Sequence, residues 1–410
     1  MTHSHDIIIS GGGMVGLALA IAAAKLGLKA IVIEKQQFKQ PVTETDTFQN
    51  RVSALNKTSE NLLKHLGAWS HLPAERIAAY QKMHVWDGLG SGELSFNAQD
   101  VAEPWLGHII ENEQIVAALK TEASYHDAIE ILCPDSLGCW SQSPEGVSAK
   151  TQAGKNLTAR LIIACEGRES ILREQSTIKS WHWEYGHTAL VCTVKHQQPH
   201  HCCAQQVFLE SGPLAFLPLA EPNTSAIVWS ANHSKAEQLL ALSDNAFKQS
   251  LERAFESKLG TVIQCSARDS HPLSAHQAKT YVDGRLIILG DTAHGIHPLA
   301  GLGVNLGFLD VAALAGEWRW AINKGVTIES EQTLRRFQRQ RQAHNLAVAG
   351  LMDGLKRIFN SHLPPAVLLR NLGLSQINKL KLVKRQLILA AMGLSGTPLP
   401  ELCRTEDEKN

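Results

Sequence analysis

The segment Ile7-Ile8-Ile9-Ser10-Gly11-Gly12-Gly13-Met14-Val15-Gly16 limits what this chain can fold into more than any other stretch. Three β-branched residues in a row read as a buried strand, the glycines as a tight turn, and the Ala- and Leu-rich residues 15–26, closed by Gly27, as a helix. Residues 30–33 are a second apolar run, ending at Glu34. Strand, helix and strand in this order make a βαβ unit, which predicts a mostly parallel sheet with right-handed crossovers. The turn fits G-x-G-x-x-G: Gly11 permits the sharp bend, Gly13 lets backbone amides approach a pyrophosphate, and Gly16 lets the helix pack close on the strand. Phosphates then sit at the helix N-terminus, where unpaired N–H groups and the dipole favour negative charge. Glu34, eighteen residues after Gly16, is placed for its carboxylate to accept hydrogen bonds from both ribose hydroxyls, and it repels a 2′-phosphate. A dinucleotide other than NADP is expected in this pocket.

With 410 residues, 44% of them hydrophobic, the chain is long for one core, because single cores stop growing at about 250–300 residues. Strand-like runs at 161–163 and 286–289 lead to Glu166-Gly167 and Gly290-Asp291, and both suit the sheet begun at Ile7. Between them, residues 189–194, 206–209, 215–219 and 225–229 are short, strand-like and broken by Gly212-Pro213 and Pro222-Asn223, as in an antiparallel sheet. Residues 56–66 and 113–123 have helical spacing, and the pattern from 302 to 393 is helical.

Thirty-nine basic side chains balance thirty-nine acidic ones, so no global field draws the protein toward nucleic acid, and none is expected as a partner. The balance fails locally. Between residues 318 and 386, thirteen basic residues stand against three acidic ones, interleaved with Leu363, Val367, Leu380, Leu382, Val383 and Leu387. Two readings stay open: a helix pair on an anionic lipid surface, or helices packed on the sheet with solvated basic faces. The eight cysteines show no CxxC pair and no Cys/His spacing of a tetrahedral zinc site, so a reducing compartment and no metal are expected. Residues 1–6 lack the basic start and cleavage pattern of a signal peptide, and no apolar stretch approaches the ~20 residues of a membrane-spanning helix. A cytoplasmic protein is expected, with attachment to the inner face of the membrane allowed.

A second dinucleotide contact about 275 residues downstream favours a flavin over a nicotinamide, because a flavin is long enough to need a distant segment around its ribityl chain and ring. Gly290-Asp291-Thr292-Ala293-His294 follows a buried run, and Pro298-Leu299-Ala300-Gly301-Leu302-Gly303-Val304-Asn305 opens a helix whose N–H groups and dipole suit an anionic reduced flavin. FAD is the expected cofactor. The expected architecture is α/β: a Rossmann-like FAD-binding domain (1–77, 98–179 and 284–330), an inserted antiparallel β-sheet substrate domain (180–283, with 78–97 as an outlying piece), and a C-terminal basic helical region (331–410).

These residues resemble the class A flavoprotein aromatic hydroxylases, and within them the ubiquinone-biosynthesis group, over nearly the whole chain. The resemblance rests on Gly11 to Gly16 with Glu34, on Arg51-Val52-Ser53-Ala54-Leu55, on Leu106-Gly107-His108-Ile109-Ile110-Glu111-Asn112, on Gly212-Pro213-Leu214-Ala215-Phe216-Leu217-Pro218-Leu219, and on the segment from Gly290 to Asp310. It implies that Arg51 contacts the FAD phosphates, Asn112 the ribityl side, Asp291 a ribityl hydroxyl, and the Gly303-Val304-Asn305 backbone the pyrimidine edge. Each has a plainer alternative: an ion pair for Arg51, a helix cap for Asn112 and Asp291. His294 and His297 flank the implied ring, as proton relays or as structural histidines. Pro298 is implied to lie nearest the oxygen-transfer site.

The implied reaction is reduction of FAD by NAD(P)H, addition of O2 to give a C4a-hydroperoxide, and transfer of one oxygen to a polyprenylated phenol. The protein then orients substrate and excludes water. Phe208, Phe216, Leu217 and Trp229 are expected either to line the substrate channel or to be ordinary sheet core. Other ubiquinone-biosynthesis proteins are implied partners. Two positions depart from the group's pattern. Glu166 stands where the group has Asp, which puts in doubt the hydrogen bonding linking flavin and nicotinamide binding, and Leu302 stands where it generally has Gln. Two rival readings follow: an accessory FAD-binding subunit without turnover, or a reductase of isoprenoid lipids.

Overall fold

The computed structural model describes residues 3–44, 47–295, 303–360, 380–394 and 399–404. A six-stranded sheet runs in the order Val282–Asp283, Leu286–Ile288, Leu161–Ala164, Ile7–Ser10, Ala30–Ile33, Ile129–Leu132, parallel throughout except for the edge strand Val282–Asp283. Its four inner strands are buried on both faces, which is why they read as continuous apolar runs, while the two edge strands are half-buried. The helix Met14–Ala24 is buried all round from Gly16 to Ala23, wedged between this sheet and the helices Asn112–Ala123 and Gly303–Lys324, so its sequence shows no polar face.

The second large sheet has nine strands. At its centre the long strand Ser180–His196 pairs antiparallel with Thr224–Asn232 and Asp269–Ala278, and Gly212–Pro218 and Cys203–Leu209 extend the sheet outward. Lys82–Asp87 and Glu93–Asn97 complete that edge. The preceding strand Ala78–Tyr80 does not join it; it belongs to a three-stranded sheet with Val52–Leu55 and Gly107–Glu111. The outlying piece expected over 78–97 thus begins to pair with the large sheet only at Lys82.

Helices His233–Ala241 and Asp244–Ala254 are associated with the core on one face of the nine-stranded sheet. Leu214, Phe216, Ile227 and Trp229 point to that side, with Phe216 stacked on Phe255 at 3.8 Å between ring centroids. Strand alternation therefore turns Ala215, Leu217, Ala226 and Val228 to the opposite face. Phe216 and Trp229 are consequently sheet core, not channel lining. Leu217 packs on the other side, against Phe48, Ala78, Ile109, Leu219 and Ala226.

Candidate active site

The glycine turn is held by close approach. Gly11 has φ +104°, and a Cβ there would lie 2.3 Å from the Cys165 carbonyl oxygen; one on Gly16 would lie 1.9 Å from the Gly11 oxygen. Neither position accepts a side chain without backbone movement. A Cβ on Gly13, by contrast, would meet nothing within 4 Å, so this backbone opens onto free space at the start of Met14–Ala24. Glu34 sits at the end of the second strand, where its two carboxylate oxygens accept from the Gly12 N–H at 2.6 Å and the Gln36 N–H at 2.8 Å. Each oxygen keeps a second acceptor position for a hydroxyl.

A single cleft of about 710 Å³ runs from this turn along the parallel strand ends. Its lining includes Gly11, Gly13, Glu34, Arg51, Ser53, Asn112, Trp140, Glu166, Arg168, Asp291, Gly303 and Val304. Position at the carboxyl ends of parallel strands is where open α/β sheets bind nucleotides. Asn112 opens its helix without capping it: its Oδ1 accepts from the Ser53 hydroxyl at 2.7 Å, and its N–H donates to the Arg51 carbonyl at 3.0 Å. Asp291 lies exposed in the short turn Gly290–Thr292, whose N-cap position is Leu289. Among the described residues, a Cβ on Gly303 would meet only the Asp291 carboxylate, at 3.7 Å. The open backbone at Gly13 and Gly303, both on the lining of one cleft, fits a dinucleotide, and so does the volume.

Asn305 is buried, and its side chain is engaged with the protein. Oδ1 accepts from the Asn56 N–H at 3.0 Å and the Ser59 hydroxyl at 2.7 Å, and Nδ2 donates to the Ala54 carbonyl at 2.8 Å. It locks the helix Gly303–Lys324 to the Val52–Leu55 strand, so its side chain is committed to the protein. His297 and Pro298 lie outside the described residues.

Glu166, the departure from the family pattern, is an organising group here. One oxygen accepts from Ser10 Oγ at 2.6 Å; the other accepts from Ser170 Oγ at 2.6 Å and from the Leu172 N–H at 3.1 Å. The longer side chain thus ties the first strand to the loop after Leu161–Ala164. Next to it, Arg173 is buried and donates to the carbonyls of Thr292 at 3.0 Å and Arg168 at 2.6 Å and to His276 Nε2 at 3.1 Å. Burial, with Arg173 beside it, pushes His276 down to about 4.

Behind the Gly290–Thr292 turn lies a buried ionic network that sequence reading missed. Asp310 is fully buried: its Oδ2 accepts from His294 Nε2 at 2.5 Å and from the Gly290 N–H at 3.0 Å, and its Oδ1 from Arg341 Nε at 2.7 Å. Arg341 also bonds Asn345, which reaches the Tyr281 hydroxyl. Burial alone would push the Asp310 carboxyl up; His294 and Arg341 outweigh it and hold it below the usual range. His294 Nδ1 is buried with no hydrogen-bond partner among the described residues. His294 is therefore tied to a carboxylate, as a structural histidine would be. The available signal was spacing: His294 and Asp310 bracket the glycine-rich segment, but only the fold brings Arg341 to them.

Among known proteins, the model of the FAD binding domain family matches residues 4–349. The chain is 34% identical to the ubiquinone hydroxylase UbiL of Rhodospirillum rubrum, over 97% of this chain and 92% of that protein. It is 32% identical to the 3-demethoxyubiquinol 3-hydroxylase of Escherichia coli, over 95% of this chain and 98% of the relative. The p-nitrophenol 4-monooxygenase PnpA of Pseudomonas putida shares the fold, with a TM-score of 0.78 at 18% identity over 97% of this chain and all of that one. The chain belongs to the FAD-binding-domain family, as one of its flavoprotein monooxygenases. FAD is its cofactor, and its curated relatives are the ubiquinone hydroxylases that the motifs resemble.

Proposed function

We propose that this protein hydroxylates the aromatic head of a polyprenylated phenol in ubiquinone biosynthesis, using O2 and electrons from NAD(P)H. The observation that carries the reading is the one cleft joining the Gly11–Gly13 turn to Asp291, Gly303 and Val304, in a chain whose relatives are named for ubiquinone hydroxylation. When bound, FAD supplies reduction by the nicotinamide and activation of O2, so that one oxygen enters the ring and the other leaves as water.

The chain's own residues hold and shield. Gly11, Gly13 and Gly16 present the helix N-terminus to the pyrophosphate, Glu34 takes the adenosine ribose, and Arg51 neutralises phosphate charge. Asn112 and Asp291 hold the ribityl side, and backbone N–H groups of Gly303, Val304 and Asn305 meet the pyrimidine edge. The Asp310 network fixes the Gly290–Thr292 turn against the helix that carries Gly303. To His297 and Pro298 the resemblance assigns the reception of the phenol ring. The sheet face bearing Ala215, Leu217 and Val228 is apolar and excludes water from that space. The protein acts on the cytoplasmic face of the membrane, where a polyprenyl tail resides, beside other enzymes of the pathway.

The test is aerobic NAD(P)H oxidation by the purified yellow protein with a short-tailed phenol, read by mass spectrometry of the product. Added mass of one oxygen atom supports the proposal. A yellow protein that turns over no phenol supports the accessory-subunit reading, and anaerobic reduction of an isoprenoid double bond supports the reductase reading.

A further inference from the structure

The helix Lys381–Ala391 packs inward through Ile388, followed by Met392, onto Ala98 and Leu106, and Lys384 forms an ion pair with Asp100 at 2.9 Å. Its outer side is unusual for a helix facing water. At 100° per residue, Leu382, Gln386, Ala390, Val383 and Leu387 occupy one continuous outward arc. That arc holds no charged residue. Leu382 is 80% exposed, and Val383, Leu387 and the preceding Leu380 are exposed as well. A solvated helix places its charges outward; this one keeps them off the arc, with Arg385 beyond one edge, Lys384, paired with Asp100, beyond the other, and Lys381 on the far side. Single exposed leucines are ordinary, but adjacent ones on one arc mark a contact surface.

The surroundings say which contact. The segment 380–391 contains three basic residues and no acidic one. Lys384 also lines a groove of about 550 Å³ together with Lys82, Lys258, His84, His201 and Asp100. An apolar arc bordered by cations, beside a groove rich in lysine, matches a bilayer with anionic headgroups: the apolar side chains enter the acyl boundary and the cations remain at phosphate depth. We propose that the outer face of Lys381–Ala391 docks this enzyme on anionic phospholipid. The inference takes from the proposed polyprenyl substrate only the reason for a membrane address.

The test is flotation of the FAD-loaded full chain with vesicles of phosphatidylcholine alone or mixed with phosphatidylglycerol. The wild type is expected to float with the anionic vesicles and to be released by salt. Leu382→Asp is expected to weaken partitioning by about tenfold or more, while Leu382→Ile keeps it. Both should retain wild-type flavin absorbance and unfolding midpoint, since Leu382 makes little contact with the core. Hydroxylation of a water-soluble short-tailed phenol should be unchanged in Leu382→Asp, so loss of docking and loss of function read separately. Failure of the wild type to float, equal flotation of Leu382→Asp, or a wild-type dimer that this variant dissociates without any vesicle binding would each overturn the proposal.

Discussion

Replacing Asp310 by Asn probes the join between the two halves of the cleft. The carboxylate is fully buried and accepts from Gly290, His294 and Arg341; an amide has one acceptor oxygen and brings two N–H donors toward donors already present. Arg341, 3% exposed, is left as a buried cation without its anion. Removing one partner of a buried pair costs about 3–5 kcal/mol, a large part of a typical ~5–15 kcal/mol total. The assay is denaturant unfolding of the wild type, Asp310→Asn, Arg341→Met and the double variant, with FAD affinity measured by flavin fluorescence. The double variant should recover part of the loss, with a coupling above about 1 kcal/mol, and FAD should bind more weakly in Asp310→Asn because the turn bearing Asp291 is no longer pinned. The sign with pH follows from the depressed carboxyl. Its contribution is full above the unfolded value of about 3.9 and is lost only as pH falls below that. A loss under about 1 kcal/mol, or strict additivity, would refute the reasoning.

Gly13→Ala and Gly16→Ala should part ways. The first meets open space, so the apoprotein should unfold like the wild type while FAD affinity falls by about tenfold or more; the second should fail to accumulate as folded protein, as judged by circular dichroism. Burial holds both His108 and His276 down at about 4, well below the unfolded value of about 6.5. The stability each contributes is full above pH 6.5 and should be lost between about 6.5 and 4, by roughly 3 kcal/mol per histidine, as acid titrations of the unfolding midpoint would show; a flat profile over that window counts against it. Phe216→Ala should cost about 3–5 kcal/mol of stability yet leave KM for a short-tailed phenol unchanged, whereas Val228→Phe, on the opposite face, should raise KM.

The parallel sheet was legible because its inner strands are buried on both faces and its runs end at glycine, at an acid or at both, as at Ser10-Gly11, Ile33-Glu34 and Leu289-Gly290-Asp291. Gly67, with φ +95°, was readable as the stop of the helix Lys57–Leu66, whereas Asn56, read as the first helical residue, is its cap. The face of each inserted strand was not. Phe216 and Leu217 are equally apolar, and only the helices under the sheet decide which becomes core. Those helices, His233–Ala241 and Asp244–Ala254, were signalled locally by their caps Asn232 and Ser243, but which sheet face they cover depends on strands from elsewhere in the chain. The same limit hid the Asp310–Arg341 pair, 31 residues apart in sequence, and the role of Glu166, whose three hydrogen bonds depend on loops meeting at the strand ends.

The central claim is that one flavin spans the cleft from the glycine turn to the start of the Gly303–Lys324 helix. Its most direct measurement is a crystal structure of the yellow holoenzyme. The account requires the pyrophosphate at Gly13, the ribose on Glu34 and the ring edge at Gly303 and Val304; a protein that takes up no FAD, or holds it away from either end, contradicts it.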